Sequence, residues 1–154
     1  MTKAESKNLI DFLLSSPKFD QDVIDAINDR SRETGSVLGI DHVQIAVPPN
    51  SEQVCRDFYL GVLGLAEISR PFEGVGRSFL WARVGDQQVH FRPDPDFAPA
   101  HFAHPAFLVA DVDAFAVHLA EAGFEMTRGD AVDAGRFHTR DPFGNRLEFI
   151  QSGE

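Results

Sequence analysis

Two stretches of this 154-residue chain repeat one another, and the repetition limits the folds open to it. Val89-His90-Phe91 and Leu147-Glu148-Phe149 carry the same alternation 58 residues apart, and Phe79 and Phe137 stand at that spacing too. Side chains alternate across a strand, so Leu147 and Phe149 leave one face and Glu148 the other. In the earlier copy Val89 and Phe91 oppose Gln88, His90 and Arg92 in the same way. Farther upstream, His42 and His104 differ by 62 residues, which puts a gap of four in the helix or the loop after it. One spacing therefore carries the whole terminal hairpin, and a second carries the start of each half.

Each half then reads strand, helix, strand, strand, strand. In the first, residues 40–47 form a strand with Val43, Ile45 and Val47 on one side and His42 and Gln44 on the other. Ser51 precedes a helix as its cap, with Val54, Cys55, Phe58, Tyr59 and Val62 as the apolar stripe and Gly64 as its end. A short strand at 66–69, a glycine-containing loop at 72–76 and a strand at 77–84 follow, and Gly85-Asp86 turns the chain into residues 87–92. Prolines at 93, 95 and 99 bar regular helix and central strand, so 93–102 is a linker. After it come a strand at 104–109, Asp111 as cap, a helix stripe of Phe115, Leu119 and Ala120, Gly123 as terminator, and a strand at 124–127. A polar loop around Gly129-Asp130 leads to the hairpin at 135–150, turned by Asp141-Pro142-Phe143-Gly144-Asn145. The modules span 39–92 and 103–151, and residues 1–38 form an extension of two short helices that must cover something, being marginal alone.

Composition adds exclusions. A formal charge of −10 argues against nucleic acid and anionic membranes as partners. Fourteen Phe against one Tyr and one Trp imply a core or a pocket lined by rings. Cys55, the single cysteine, has no internal disulfide partner and reads as a packed thiol rather than a nucleophile. No basic segment followed by an apolar run opens the chain, and no stretch approaches membrane-spanning length, so the expected setting is cytoplasmic.

The repeat places chemistry at equivalent positions: His42 and His104 on the first strands, His90 and Glu148 on the last. Neutral imidazoles and a carboxylate suit Zn, Fe, Ni, Co or Mn as a divalent ion. An isolated strand histidine is more often hydrogen-bonded or exposed than a ligand, but the correspondence singles out His42, His104 and Glu148 together. His90 stands beside them as a fourth ligand or a group that bonds substrate. His101 and His118 need no such role.

Ile40-Asp41-His42-Val43, Phe58-Tyr59 and Leu63-Gly64-Leu65, followed by His104-Pro105-Ala106-Phe107 and Asp141-Pro142-Phe143-Gly144-Asn145-Arg146-Leu147-Glu148, resemble the vicinal oxygen chelate superfamily. That family includes glyoxalase I, bleomycin-resistance proteins, fosfomycin-resistance thiol transferases and extradiol dioxygenases, and the resemblance covers about residues 39–151. It implies an α+β fold of two βαβββ modules whose mixed sheet curls around a metal cleft, and a homodimer whose subunits complete the sites. It also places the family's ligands on His42, His104 and Glu148, with His90 where glyoxalase-like members commonly carry Glu. Since the ligand carboxylate there also moves the proton, only Glu148 remains for that catalytic task. His138 occupies the position of the extradiol motif's Tyr, and the chain is half the usual dioxygenase length. A phosphonate would want clustered cations, for which Arg77, Arg83, Arg92, Arg136, Arg140 and Arg146 are available, although arginines on hairpin strands are mostly solvated or paired. Trp81, Arg83 and His138 are the candidate pocket residues. The resemblance thus implies a metal-dependent small-molecule enzyme doing lyase or isomerase chemistry on adjacent oxygens. The alternatives are a binding protein of bleomycin-resistance type without catalysis and an extradiol-type dioxygenase.

Overall fold

In the computed structural model of the chain, residues 37–69, 78–128 and 135–153 are described. The expected N-terminal helices, the loop at 72–76 and the polar loop around Gly129 fall outside them, as does Arg77. The chain divides into Met1–Gly39 and Ile40–Glu154, and every described strand and helix belongs to the second unit.

That unit holds two modules of one plan. The first runs β1 (His42–Val47), α1 (Glu52–Arg56) continued by a π-helical segment (Asp57–Val62), β2 (Ala66–Glu67), β3 (Leu80–Val84) and β4 (Gln87–Pro93). The second runs β5 (Ala106–Val109), α2 (Val112–Glu121), β6 (Met126–Thr127), β7 (Arg136–Arg140) and β8 (Arg146–Gln151). Each forms a four-stranded mixed sheet, β1-β4-β3-β2 and β5-β8-β7-β6, in which the first strand runs parallel to the last and the other pairs are antiparallel. A parallel pairing needs a crossover, which the helix after β1 and after β5 begins. The two βαβββ modules expected from the repeat are therefore present. Among the described residues no helix is long and apolar enough to cross a membrane.

The register corrects the arithmetic of the repeat. Gln44 pairs with His90 as Ala106 pairs with Glu148, which upholds the spacing of 62 at the front and 58 at the end. On the third strands, however, Trp81 pairs with His90 as His138 pairs with Glu148, a spacing of 57. The difference lies in the turn, since four residues separate the Arg83–Gln88 pair and five separate Arg140–Arg146. A one-residue slip exchanges the faces of a strand. Phe137 consequently answers to Leu80 in the core rather than to Phe79, and His138 answers to Trp81.

Apolar alternation explains where the core sits. Ile45, Val47, Leu80, Ala82, Val89 and Phe91 from the first sheet join Phe107, Phe137, Leu147 and Phe149 from the second in one buried cluster under the helices. Burying a ring such as Phe91 or Phe149 contributes about 1.5–3 kcal/mol, so the Phe-rich composition acts chiefly here. The helix stripes differ from expectation. Cys55, Phe58 and Tyr59 are buried, but Val54 is exposed; on α2 the buried residues are Val112, Ala116 and Leu119, while Ala120 faces outward. Asp111 caps α2 as expected, accepting from the backbone of Asp113 and Ala114. Ser51 does not cap α1; its hydroxyl donates instead to the carbonyl of Pro48.

The modules meet through a buried polar junction. Asp141, 4% exposed, accepts from Tyr59 Oη at 2.7 Å and from the backbone N–H groups of Phe143 and Asn145 at 2.9 and 2.8 Å. Asn145 Nδ2 reaches both Asp141, at 2.9 Å, and the Ala46 carbonyl on β1, at 3.0 Å. Burial, then the charge of Asp141, pushes the Tyr59 phenol well above its ordinary value, which keeps it a donor. Gly144 closes this turn at φ 91°, with Pro99 of the linker 3.4 Å from where a Cβ would stand. Gly144→Ala should therefore cost about 1–3 kcal/mol, read as a lower midpoint in urea unfolding at unchanged slope. Nearby, burial and then Asp141 push the Cys55 thiol up to about 12. Thiolate is the reactive form, so native protein at pH 8 should give no colour with a thiol reagent over an hour and one equivalent once unfolded.

Candidate metal centre

Among the described residues, the polar face of the second sheet gathers a group of histidines and a carboxylate that could hold a metal ion. Alternation puts Arg136, His138 and Arg140 of β7 beside Arg146 and Glu148 of β8, and His104 stands just ahead of β5. The facing histidine nitrogens and carboxylate oxygens of His104, His138 and Glu148 all lie within 4.8 Å of one another. His104 Nε2 is 3.3 Å from Glu148 Oε2, and His138 Nε2 is 3.6 Å from Oε1.

The protons decide what this cluster needs. His104 Nδ1 lies 2.6 Å from the carbonyl of Phe102, which can only accept, so Nδ1 carries the hydrogen. In a neutral ring Nε2 is then a lone pair facing a carboxylate oxygen. Two acceptors at 3.3 Å require a proton or a cation between them. A carbonyl-anchored imidazole beside a carboxylate is a common way to present donors to a divalent ion, and the set fits one. Glu148 also takes a bond from Arg136 at 3.1 Å. Burial, the largest influence, pushes its carboxyl up, but the hydrogen bond from Arg136 and the neighbouring His104 and His138 outweigh it and hold the group below its ordinary value. His138 is lowered, first by burial and then by Arg146, against an opposing pull from Glu148.

The equivalent face of the first sheet holds His42, His90 and Trp81 instead. His90 lies between the other two rings, 4.0 Å from His42 at 20° and 3.9 Å from Trp81 at 7°. Lone pairs lie in the ring planes, so two near-parallel planes at this spacing do not converge on one ion. His90 Nε2 is 3.0 Å from Gln88 Oε1, and Trp81 Nε1 is buried without a hydrogen-bond partner among the described residues. His42 differs from His90 in being exposed, with Nδ1 2.7 Å from the Asp41 carboxylate, so that Nε2 is the nitrogen left to bind a ligand. Arg83 stands two residues beyond Trp81 on the same face, exposed and opposite Gln88. The structure thus brings His104 and Glu148 together, brings His42 and His90 together, and leaves the second pair outside the His104–His138–Glu148 group. His138 was legible as a pocket residue, but its place among the ligand atoms was hidden by the longer second turn. His118, on the α2 surface, sits 2.8 Å from the Val62 carbonyl, a tie between modules.

Comparison with known proteins agrees with this architecture. The model of the Glyoxalase/Bleomycin resistance protein/Dioxygenase superfamily matches residues 39–149. A crystal structure of a protein assigned to the glyoxalase family from Bacillus anthracis is 39% identical, with a TM-score of 0.70 over 77% of this chain and 98% of that one. The antibiotic-binding protein TnmS3 from Streptomyces sp. CB03234 is 22% identical, with a TM-score of 0.58 over 76% of this chain and 100% of that one. A mutant of the fosfomycin resistance protein FosX from Listeria monocytogenes, complexed with Mn(II) and a dihydroxypropylphosphonic acid, is 15% identical, with a TM-score of 0.62 over 76% of this chain and 94% of that one. No curated protein matches the chain. By its matched segment, its paired modules and its 39% identical relative, the chain belongs to the glyoxalase/bleomycin resistance protein/dioxygenase superfamily.

Proposed function

We propose that the protein is a metal-dependent small-molecule enzyme of glyoxalase-like type, performing lyase or isomerase chemistry on a substrate chelated through adjacent oxygens. The observation that carries this is the pair of acceptors, His104 Nε2 and Glu148 Oε2, held 3.3 Å apart with the other histidine nitrogen committed to a carbonyl. His104 and Glu148 would hold the ion. His42, exposed and oriented by Asp41, would be supplied by a second copy in a homodimer. A bound divalent ion supplies Lewis acidity toward the chelated oxygens. The stack around His90 favours ring packing over a fourth ligand for that residue. Proton transfer falls to His138 in preference to Glu148, because Oε1 of Glu148 is held by Arg136 while the imidazole of His138 stands beside it, with Nε2 3.6 Å away.

A second reading has one specific support, the Arg136–Glu148 ion pair, which places a built-in cation on the carboxylate. It makes the chain a binding protein that needs no metal. Elemental analysis of protein purified without chelators separates the two, with light scattering reporting the dimer. The enzyme reading expects close to one transition-metal ion per chain in the dimer, and metal-free protein of undiminished ligand affinity would overturn it.

A further inference from the structure

Next to the candidate centre lies a cavity of about 360 Å³, lined by Glu125, Thr127, His138, Thr139, Arg140 and Arg146. Two of its guanidinium groups belong to residues directly opposite each other on neighbouring strands, Arg140 of β7 and Arg146 of β8, on the face that carries His138 and Glu148. Like charges at directly opposed positions of an antiparallel pair destabilise it. Among the described residues no ion pair neutralises either: Arg140 spends one nitrogen on the Gly144 carbonyl, and Arg146 has no hydrogen-bond or ion-pair partner there. Glu125, the one carboxylate among the described lining residues, is exposed and makes no ion pair with a described residue. The fold does not demand this pairing, since the matching position of the first hairpin is Arg83 opposite Gln88, with one charge. The local excess of cation is also set against a chain whose net charge is −10.

We propose that Arg140 and Arg146 form a subsite for an oxyanion, so that the substrate carries a carboxylate, phosphonate or phosphate group beside the oxygens that meet the His104–Glu148 centre. Two planar forks converging on one cavity suit the paired oxygens of such a group, and the bound anion removes the repulsion between them. All cations beyond residue 18 are arginines, so the choice of guanidinium over ammonium is uniform along the module and the placement alone carries the argument. The subsite deepens the enzymatic reading and rests on it only for the identity of the neighbouring centre.

The test uses inorganic phosphate and acetate as probes, at constant ionic strength, on metal-free and Mn(II)-loaded full-length protein. Phosphate should raise the melting temperature of the wild type by about 2–4 °C in both forms. Arg146→Gln and Arg140→Gln should each weaken phosphate binding at least tenfold, and Arg146→Gln should melt higher than wild type in probe-free buffer because the repulsion is gone. Arg83→Gln removes the same unit of charge from the other hairpin and should bind phosphate as wild type does. A larger shift with acetate than with phosphate would assign the subsite to carboxylates. The subsite is overturned if neither anion shifts the wild type, or if Arg146→Gln and Arg83→Gln respond alike. Failure of the metal reading shows separately, as absence of Mn(II) uptake with the phosphate response intact.

Discussion

His104→Ala should release the metal, leaving less than about a tenth of an equivalent after dialysis, and should lower metal-dependent turnover at least 100-fold, since replacing even a group that orients a ligand costs about 10–100-fold. The size follows from what His104 does alone. Its Nδ1 is committed to Phe102, its Nε2 has no other role than to face Glu148, and without it the carboxylate is left to Arg136. The fold should survive, because His104 is only half-buried and lies outside the apolar cluster. Surface-like substitutions away from the core usually stay within about 0.5 kcal/mol, so the metal-free variant should melt with metal-free wild type. Atomic emission on the purified variant checks the first expectation and calorimetry the second. Full metal occupancy in His104→Ala would remove the centre from this face of the sheet. Asp41→Asn makes the companion measurement, since it tests whether the carboxylate behind His42 contributes to the same ion.

Much of the fold was legible because strand alternation is local. Val89, Phe91, Leu147 and Phe149 occupy the core face where period two placed them, and Glu148 occupies the other. The pairing of His104 with Glu148 was legible too, because a repeat converts distant residues into equivalent ones. What escaped were features that depend on a single-residue count or on contacts remote in sequence. The second turn is one residue longer, so no uniform spacing could pair His138 with Trp81. Val54 looked like part of the α1 stripe, yet the sheet covers only the arc holding Cys55, Phe58 and Tyr59. Trp81 shares its face with His90, and only the ring geometry distinguishes packing in a stack from lining a pocket. Nothing in the sequence said whether the four ligand candidates meet within one chain, because that depends on how two sheets face each other.

The contact that sequence reasoning could least anticipate joins Tyr59 to Asp141, and it carries the largest expected effect on stability. Asp141→Ala should lower stability by about 3–5 kcal/mol, because it strands the Tyr59 hydroxyl and the backbone N–H groups of Phe143 and Asn145 without their acceptor. Tyr59→Phe should cost only about 1–2 kcal/mol, since Asp141 then keeps three of its donors. Asp141→Asn should fall between, preserving the shape and letting the Tyr59 hydroxyl turn to accept, but setting an amide N–H₂ against Asn145 Nδ2, which can only donate. With unfolding near 2–4 °C per kcal/mol for a chain of this length, Asp141→Ala should melt roughly 6–20 °C below wild type. Against a typical total of about 5–15 kcal/mol, that is enough to bring many domains to the edge of unfolding. The loss also reaches both modules at once, because Asn145, held by Asp141, bonds the Ala46 carbonyl on β1. If the junction is what makes the modules fold together, Asp141→Ala should broaden the calorimetric transition while Tyr59→Phe leaves it sharp. Equal losses in the two variants would instead mean that the phenol, and not the carboxylate, organises the junction.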